Sequence, residues 1–272
     1  MTSDTQSVGT LLRTWRQRRR FSQLALASEA EISQRHLSFL ESGRSRPSRD
    51  MVLRLAEYLN VPLEERNAML RAAGFAPVYL ERALSAPELQ SAMSVVRRIL
   101  EATEPHPALA VDRNWTLLSA NAAVGMLTRG AAAHLLEGPV NVLRLSLHPE
   151  GLAPRILNYR EWRDHILARL SHDIEVRADG ALARLRAELA AYPVPDHSAP
   201  RRPGPLTGQD IAIPLRIASP AGPLEFLSTT TVFGTAEDIT LAGVVIESFY
   251  PANPETAAAM QALNRAGTEP IP

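Results

Sequence analysis

Cysteine does not occur in this chain, and neither does lysine. The first absence excludes a disulfide framework, a thiolate nucleophile and cysteine-ligated zinc or iron–sulfur sites. The second excludes a phosphate-cradling P-loop lysine, a Schiff-base lysine and a Ser–Lys catalytic pair. No segment approaches the roughly 18 uninterrupted apolar residues of a membrane-spanning helix, and charge stands where a secretory leader would place an apolar block. A cytoplasmic location with no membrane partner is therefore expected. With 45% hydrophobic and 21% charged residues the composition is that of a globular protein.

What is present is unevenly placed. The 272 residues exceed the roughly 100–200 of one usual core, so two domains are expected. Formal net charge is zero, but the first sixty residues carry ten arginines against six acids and the remainder nineteen against twenty-three. A basic head on an acidic body is the asymmetry expected when one domain alone faces phosphate.

In the head, Val8, Leu11, Leu12 and Trp15 recur at helical spacing, with arginines around the other faces. Ser22 is placed to cap a second helix containing Leu24–Ala27, and Ser33 a third running from Gln34 to Ser42, which Gly43 ends as a left-handed cap. Ile32, Leu37 and Leu40 share one side of that third helix, so Gln34, Arg35, Ser38 and Phe39 face elsewhere. A fourth helix starts at Pro47-Ser48, and a fifth runs from Leu63 to Ala73 and stops at Gly74. Two short helices joined by a tight turn are what reading a duplex requires, because one must enter the major groove while the other braces it across the backbone.

Ser22-Gln23…Leu26-Ala27, Ile32-Ser33 and Leu37-Ser38…Glu41…Gly43 resemble the Xre family of helix-turn-helix regulators. The family usually places glycine in the inter-helix turn where this chain has Glu31. The resemblance implies an all-α, five-helix, lambda-repressor-like domain over residues 1–74 that binds double-stranded DNA, as a homodimer on two-fold sites. Carried over by position, it makes Gln34, Arg35, Ser38 and Phe39 the candidate base readers, with Ser33 at the head of their helix. Gln23, Arg44 and Arg46 become backbone anchors. In such a head Glu41 has a structural role at the helix end.

Residues 75–104 read as a linker that packs rather than a free tether, up to Pro87, and a connecting helix from Glu88 to Glu101. Then come a hairpin at Ala108–Val111 and Trp115–Leu118, and Asn121 as a helix cap. Helical segments follow at 131–136, 140–147 and 159 to about 192. Three β-rich runs close the order: Ile211–Ser219, Leu224–Phe233 and Ile239–Phe249. Two strands, a helical block and three antiparallel strands are the order of an α+β, PAS-like domain with a sheet of about five strands, spanning 105–251. Residues 252–272 are expected to form a flexible tail.

The run His106-Pro107-Ala108-Leu109-Ala110-Val111-Asp112-Arg113-Asn114-Trp115-Thr116-Leu117-Leu118-Ser119-Ala120-Asn121, with Asn141-Val142-Leu143-Arg144-Leu145 further on, resembles the MmyB-like ligand-binding domain, which joins an Xre-type head to a PAS-like body. The resemblance implies a transcriptional regulator with a pocket for a small, largely apolar ligand, a fatty acid or similar amphiphile, and no other cofactor. A carboxylate head would need donors, and Asn141, Arg144, His148, Tyr159, Trp162 and His165 are the candidates. Two rivals remain. One is an antitoxin-like DNA-binding module whose body holds a protein partner. The other is a metal-dependent enzyme suggested by His165 and His172 beside Asp164 and Asp173, set against by the lack of HExxH. A non-enzymatic protein without a metal site is the expectation.

Overall fold

A computed structural model describes residues 7–177, 179–196, 198 and 212–268. They form two compact units: the residues up to Ala83 together with 235–242, and the rest.

The first unit is helical. It contains α1 (Val8–Arg18), α2 (Gln23–Glu29), α3 (Gln34–Glu41), α4 (Arg49–Tyr58) and α5 (Leu63–Ala72). Four serines fix where the first four begin. Ser7, Ser22, Ser33 and Ser48 each accept a hydrogen bond from the backbone N–H three residues on, satisfying a donor with no partner inside the helix. Leu12, Leu26, Leu37, Leu40, Leu55 and Leu70 meet in the core, each stabilising the fold by roughly 1.5–3 kcal/mol. Gly9 lets α1 approach α3: a Cβ there would collide with the carbonyl oxygen of Leu40 and lie 2.8 Å from that of Glu41. The turn between α2 and α3 does hold Glu31 at φ 52°, a left-handed conformation that costs a non-glycine residue about 1 kcal/mol.

The connector is clamped to this unit. Asn67 on α5 accepts from the backbone N–H groups of Val78 and Tyr79 at 3.0 and 3.1 Å and donates to the Tyr79 carbonyl at 2.6 Å. Residues 235–242 complete the unit. Asp238 accepts from Arg82 at 3.0 Å, and its other oxygen caps the short helix α11 (Ile239–Ala242) by accepting from the N–H of Thr240. The last β-rich run of the sequence is therefore not a strand from Ile239, because Asp238 starts a helical turn and buries Ile239.

The second unit is α+β. Its antiparallel sheet is ordered β2-β1-β5-β4-β3, from β1 (Ala108–Val111), β2 (Leu117–Ala120), β3 (Leu215–Ser219), β4 (Gly222–Val232) and β5 (Val245–Pro251). Ile211, where a strand was expected to begin, lies outside the described residues. One helix, α6 (Pro87–Ala102), packs on β1 and β2. Small Ala108 and Ala110 alternate along β1 with Leu109 and Val111, and all four are buried, so β1 is covered on both faces. On the Leu109 side lies the main core with α7 (Val124–Thr128), α8 (Val142–Leu147), α9 (Tyr159–Arg177) and α10 (Gly180–Ala191).

Two other expectations need correcting. Asn121 does not cap a helix with its side chain. Its amide donates to the carbonyls of Leu100 and His106 and accepts from the Ala108 N–H, stitching α6 to β1. The stretch from Ala252 is not a flexible tail throughout, since α12 runs from Pro254 to Thr268. Asn253 caps it at 2.8 Å, and Thr256 and Met260, four apart, bury one face against the sheet.

Candidate functional site

Helix α3 has two unlike sides. Leu37 and Leu40 are sealed in the core, while Gln34 and Arg35 stand exposed in its first turn and Ser33 caps it. Ser38 and Phe39, one turn on, are half-buried. Phe39 supports arginines: the guanidinium of Arg35 lies 5.3 Å from its ring centroid and that of Arg44 5.9 Å. The ring thus acts as a platform beneath two cations. Arg44 and Arg46 are exposed just past the helix end, where Gly43 at φ 74° turns the chain.

The end of α3 is held from within. Glu41 accepts two hydrogen bonds from Arg16, Nε to Oε1 at 2.6 Å and Nη2 to Oε2 at 3.0 Å, with both residues only 9% exposed. Gln23 donates to the same carboxylate at 2.9 Å, and Arg16 also donates to the Phe21 carbonyl. Gln23 therefore ties α2 to α3 with its amide nitrogen, at half-buried depth. A surface of exposed arginines around one projecting helix can neutralise phosphates while side chains of the first turn reach base edges.

The second unit contains a cavity of about 240 Å³, larger than the roughly 150 Å³ space that accommodates benzene in an apolar core. Leucines and valines line much of it, from α7 and α8 and from Leu109, Leu136, Val140, Leu152 and Leu215, together with Trp115, Leu117 and Phe249. Trp115 reaches it because the hairpin turn is pinned. Asp112 Oδ1 accepts from the N–H groups of Asn114 and Thr116, both at 2.8 Å, and Trp115 adopts φ 65°. One face of α9 supplies Trp162, His165, Ile166 and Arg169 at spacings of three and four.

The charged groups among the described residues of the cavity meet between α9 and β5. Arg169 Nη2 donates to Glu247 Oε1 at 2.6 Å and to Thr230 Oγ1 at 3.1 Å, and Thr230 is 3.0 Å from the same Glu247 oxygen. The Arg169 guanidinium lies 4.5 Å from the centroid of Trp115. Cross-strand register explains the cluster, because Glu247 pairs with Leu109 on one side and Thr230 on the other, in one row across the sheet. His165 stacks on Trp162, whose Nε1–H donates to Ser146 Oγ at 3.0 Å. Burial, then the neighbouring Arg169, push the His165 imidazole below its ordinary 6.5, with Glu247 opposing.

That direction carries a pH dependence. An imidazole lowered in the folded state binds protons less readily than in the unfolded chain, so stability falls as pH drops through about 6.5, by at most about 1.4 kcal/mol per pH unit for one group. We expect H165N to flatten the decline in Tm between about pH 7.5 and 5.5 relative to the parent. Parallel declines for parent and variant, read by scanning calorimetry, would assign the loss to other groups.

Of the six head-group candidates from the sequence, Trp162 and His165 line the cavity. The other four are engaged elsewhere. Asn141 caps α8 and donates to Asn114 O; Arg144 pairs with Glu188 through two bonds of 2.7 and 2.8 Å; His148 packs on Tyr192; Tyr159 is fully buried and donates to Leu147 O. Arg169 and Glu247 were missed. Arg169 had a usable signal, lying four residues beyond His165 and seven beyond Trp162 on one helix. Among the described residues one group of three has the make-up to hold a metal ion: His134, His148 and Glu150, at the surface. His172 is exposed and not part of it. No described helix is long and apolar enough to cross a membrane.

Residues 92–263, more than half of the chain, match the family model described as MmyB-like transcription regulator ligand binding domain, and residues 7–69 match one described as a helix-turn-helix domain. Among solved structures, the crystal structure of the clp gene regulator ClgR from Corynebacterium glutamicum is 25% identical, over 37% of this chain and 94% of that one, with a TM-score of 0.23. No curated protein matches.

Proposed function

Because this chain belongs to the MmyB-like transcription regulators, DNA-binding proteins with a helix-turn-helix head and a ligand-binding body, we propose that it is a cytoplasmic, Xre-type, sequence-specific regulator. Its PAS-like body senses a small, largely apolar molecule, a fatty acid or similar amphiphile. In this proposal Gln34 and Arg35 read bases, Ser38 and Phe39 contact the groove beside them, and Gln23, Ser33, Arg44 and Arg46 anchor the backbone. Two copies bind a two-fold site with half-sites about 10 bp apart.

One observation carries the proposal: α3 buries Leu37 and Leu40 yet leaves Gln34 and Arg35 exposed in its first turn. Neither side chain belongs to the core of the head. For the body, support comes from the largely apolar cavity, whose charged groups among the described residues sit together at Arg169 and Glu247. Native mass spectrometry of gently extracted protein tests the body directly. A reproducible adduct in the mass range of a small amphiphile, lost when the protein is delipidated, is the expected result. Bare protein from every preparation would favour an antitoxin-like module with a protein partner.

A further inference from the structure

The cavity's polar end holds a charge that is already answered. Arg169 meets Glu247 at 2.6 Å, and the Glu247 side chain is only 6% exposed. Thr230 braces both partners and Trp115 covers the guanidinium. The remaining polar groups on the cavity surface, Ser146, Ser228 and Thr128 among them, are hydroxyls, and His165 is an imidazole held toward its uncharged form. Among the described lining residues, formal charge at this end therefore sums to zero before any ligand enters.

A fatty carboxylate brought there would lose its hydration and lie beside a second, immovable carboxylate, while Arg169, the one cation among the described lining residues, stays shared with Glu247. An uncharged head meets no such conflict. A hydroxyl, carbonyl or amide oxygen can accept from Arg169 or His165, and a hydroxyl or amide hydrogen can be donated to Glu247 or to a serine, leaving every charge paired. Leucine and valine walls receive the chain.

We propose that the cavity selects an amphiphile with an uncharged, hydrogen-bonding head group, an alcohol, carbonyl or amide on an alkyl body, and that the buried Arg169–Glu247 pair is what rejects ionised fatty acids. This rests on the reading of the body as a ligand sensor and, of the ligands proposed above, keeps the uncharged amphiphile and sets aside the ionised fatty acid.

The test uses the full-length delipidated chain and two probes of equal length, 1-decanol and decanoate, titrated at about pH 8, where the carboxylate is ionised. Trp115 and Trp162 line the cavity, so a shift in tryptophan emission reports occupancy. Decanol is expected to bind on the order of tenfold or more tightly than decanoate. Removing the fixed negative charge with E247Q is expected to narrow that ratio by about the same factor, by freeing Arg169 for the ligand carboxylate. Decanoate binding as tightly as decanol to the parent protein overturns the head-group inference alone, and this comparison needs no variant to fold. An unchanged ratio in folded E247Q overturns the role of the pair. Binding of neither probe removes the ligand reading of the cavity, and the inference with it.

Discussion

Replacing Gln34 and Arg35 together by alanine is expected to abolish sequence-specific duplex binding while leaving the fold intact. Each bidentate contact to a base edge contributes about 1–3 kcal/mol of discrimination, so the pair weakens binding to the preferred site by roughly 30-fold or more. Both side chains are exposed in the first turn of α3, so the change in folding stability should stay within about 0.5 kcal/mol. Fluorescence anisotropy on a preferred and a scrambled duplex, at two salt concentrations, separates reading from mere attraction. If these residues read bases, affinity falls on the preferred site and hardly on the scrambled one. If Arg35 serves only as a phosphate anchor, both affinities fall together and the salt slope drops by about one. The second pattern would remove base reading from α3.

Glu41→Ala should act on the same surface by an opposite route, through the fold. It leaves Arg16 buried at 9% exposure with its Nε and Nη2 donors unanswered, and takes the acceptor from Gln23. Breaking one side of a buried pair costs about 3–5 kcal/mol, against about 5–15 kcal/mol for the stability of a whole domain. For a head of this size the loss corresponds to a fall in Tm of more than about 10 °C. The double variant R16M/E41L removes both charges and should recover most of it, because two apolar side chains replace a pair whose desolvation was costly. Circular dichroism melts of the three proteins decide the matter. An E41A chain that melts within a few degrees of the parent would show that Arg16 finds water or another acceptor, and that the ion pair does not hold α3.

The head was legible because its signals are local. Ser33 and Gly43 bracket α3 within ten residues, the inward Leu37 and Leu40 fall three apart, and the structural role expected of Glu41 is the one its bonds describe. The body's order of strands and helices was legible for the same reason, since turn residues punctuate it. Its site was not. Arg144 was a candidate through nearness to Asn141 in the chain, yet it points to Glu188, forty-four residues away, whose hydrogen bonds hold the guanidinium more firmly charged. The pair that does face the cavity, Arg169 and Glu247, lies seventy-eight residues apart. No periodicity marks Glu247, because Ile246, Glu247 and Ser248 are all buried and β5 shows no alternation between an inner and an outer face.

The misread ends have a similar cause. Ile239 to Phe249 is a β-rich run in composition, but an aspartate cap takes its first residues into a helical turn and strand pairing starts only at Val245. The alanine-rich stretch after Ala252 looked solvent-bound until Thr256 and Met260 found the sheet. Contacts between distant segments decided each case, and composition within a window carries no record of them.

Selection of bound fragments from a random pool of duplexes, with purified full-length protein in dilute salt, tests the central claim most directly. Enrichment of a two-fold motif with half-sites about one helical turn apart, lost in Q34A/R35A, is the predicted result. A pool that emerges unenriched, or a motif that the double variant selects equally well, would contradict the assignment of α3 as the element that reads DNA.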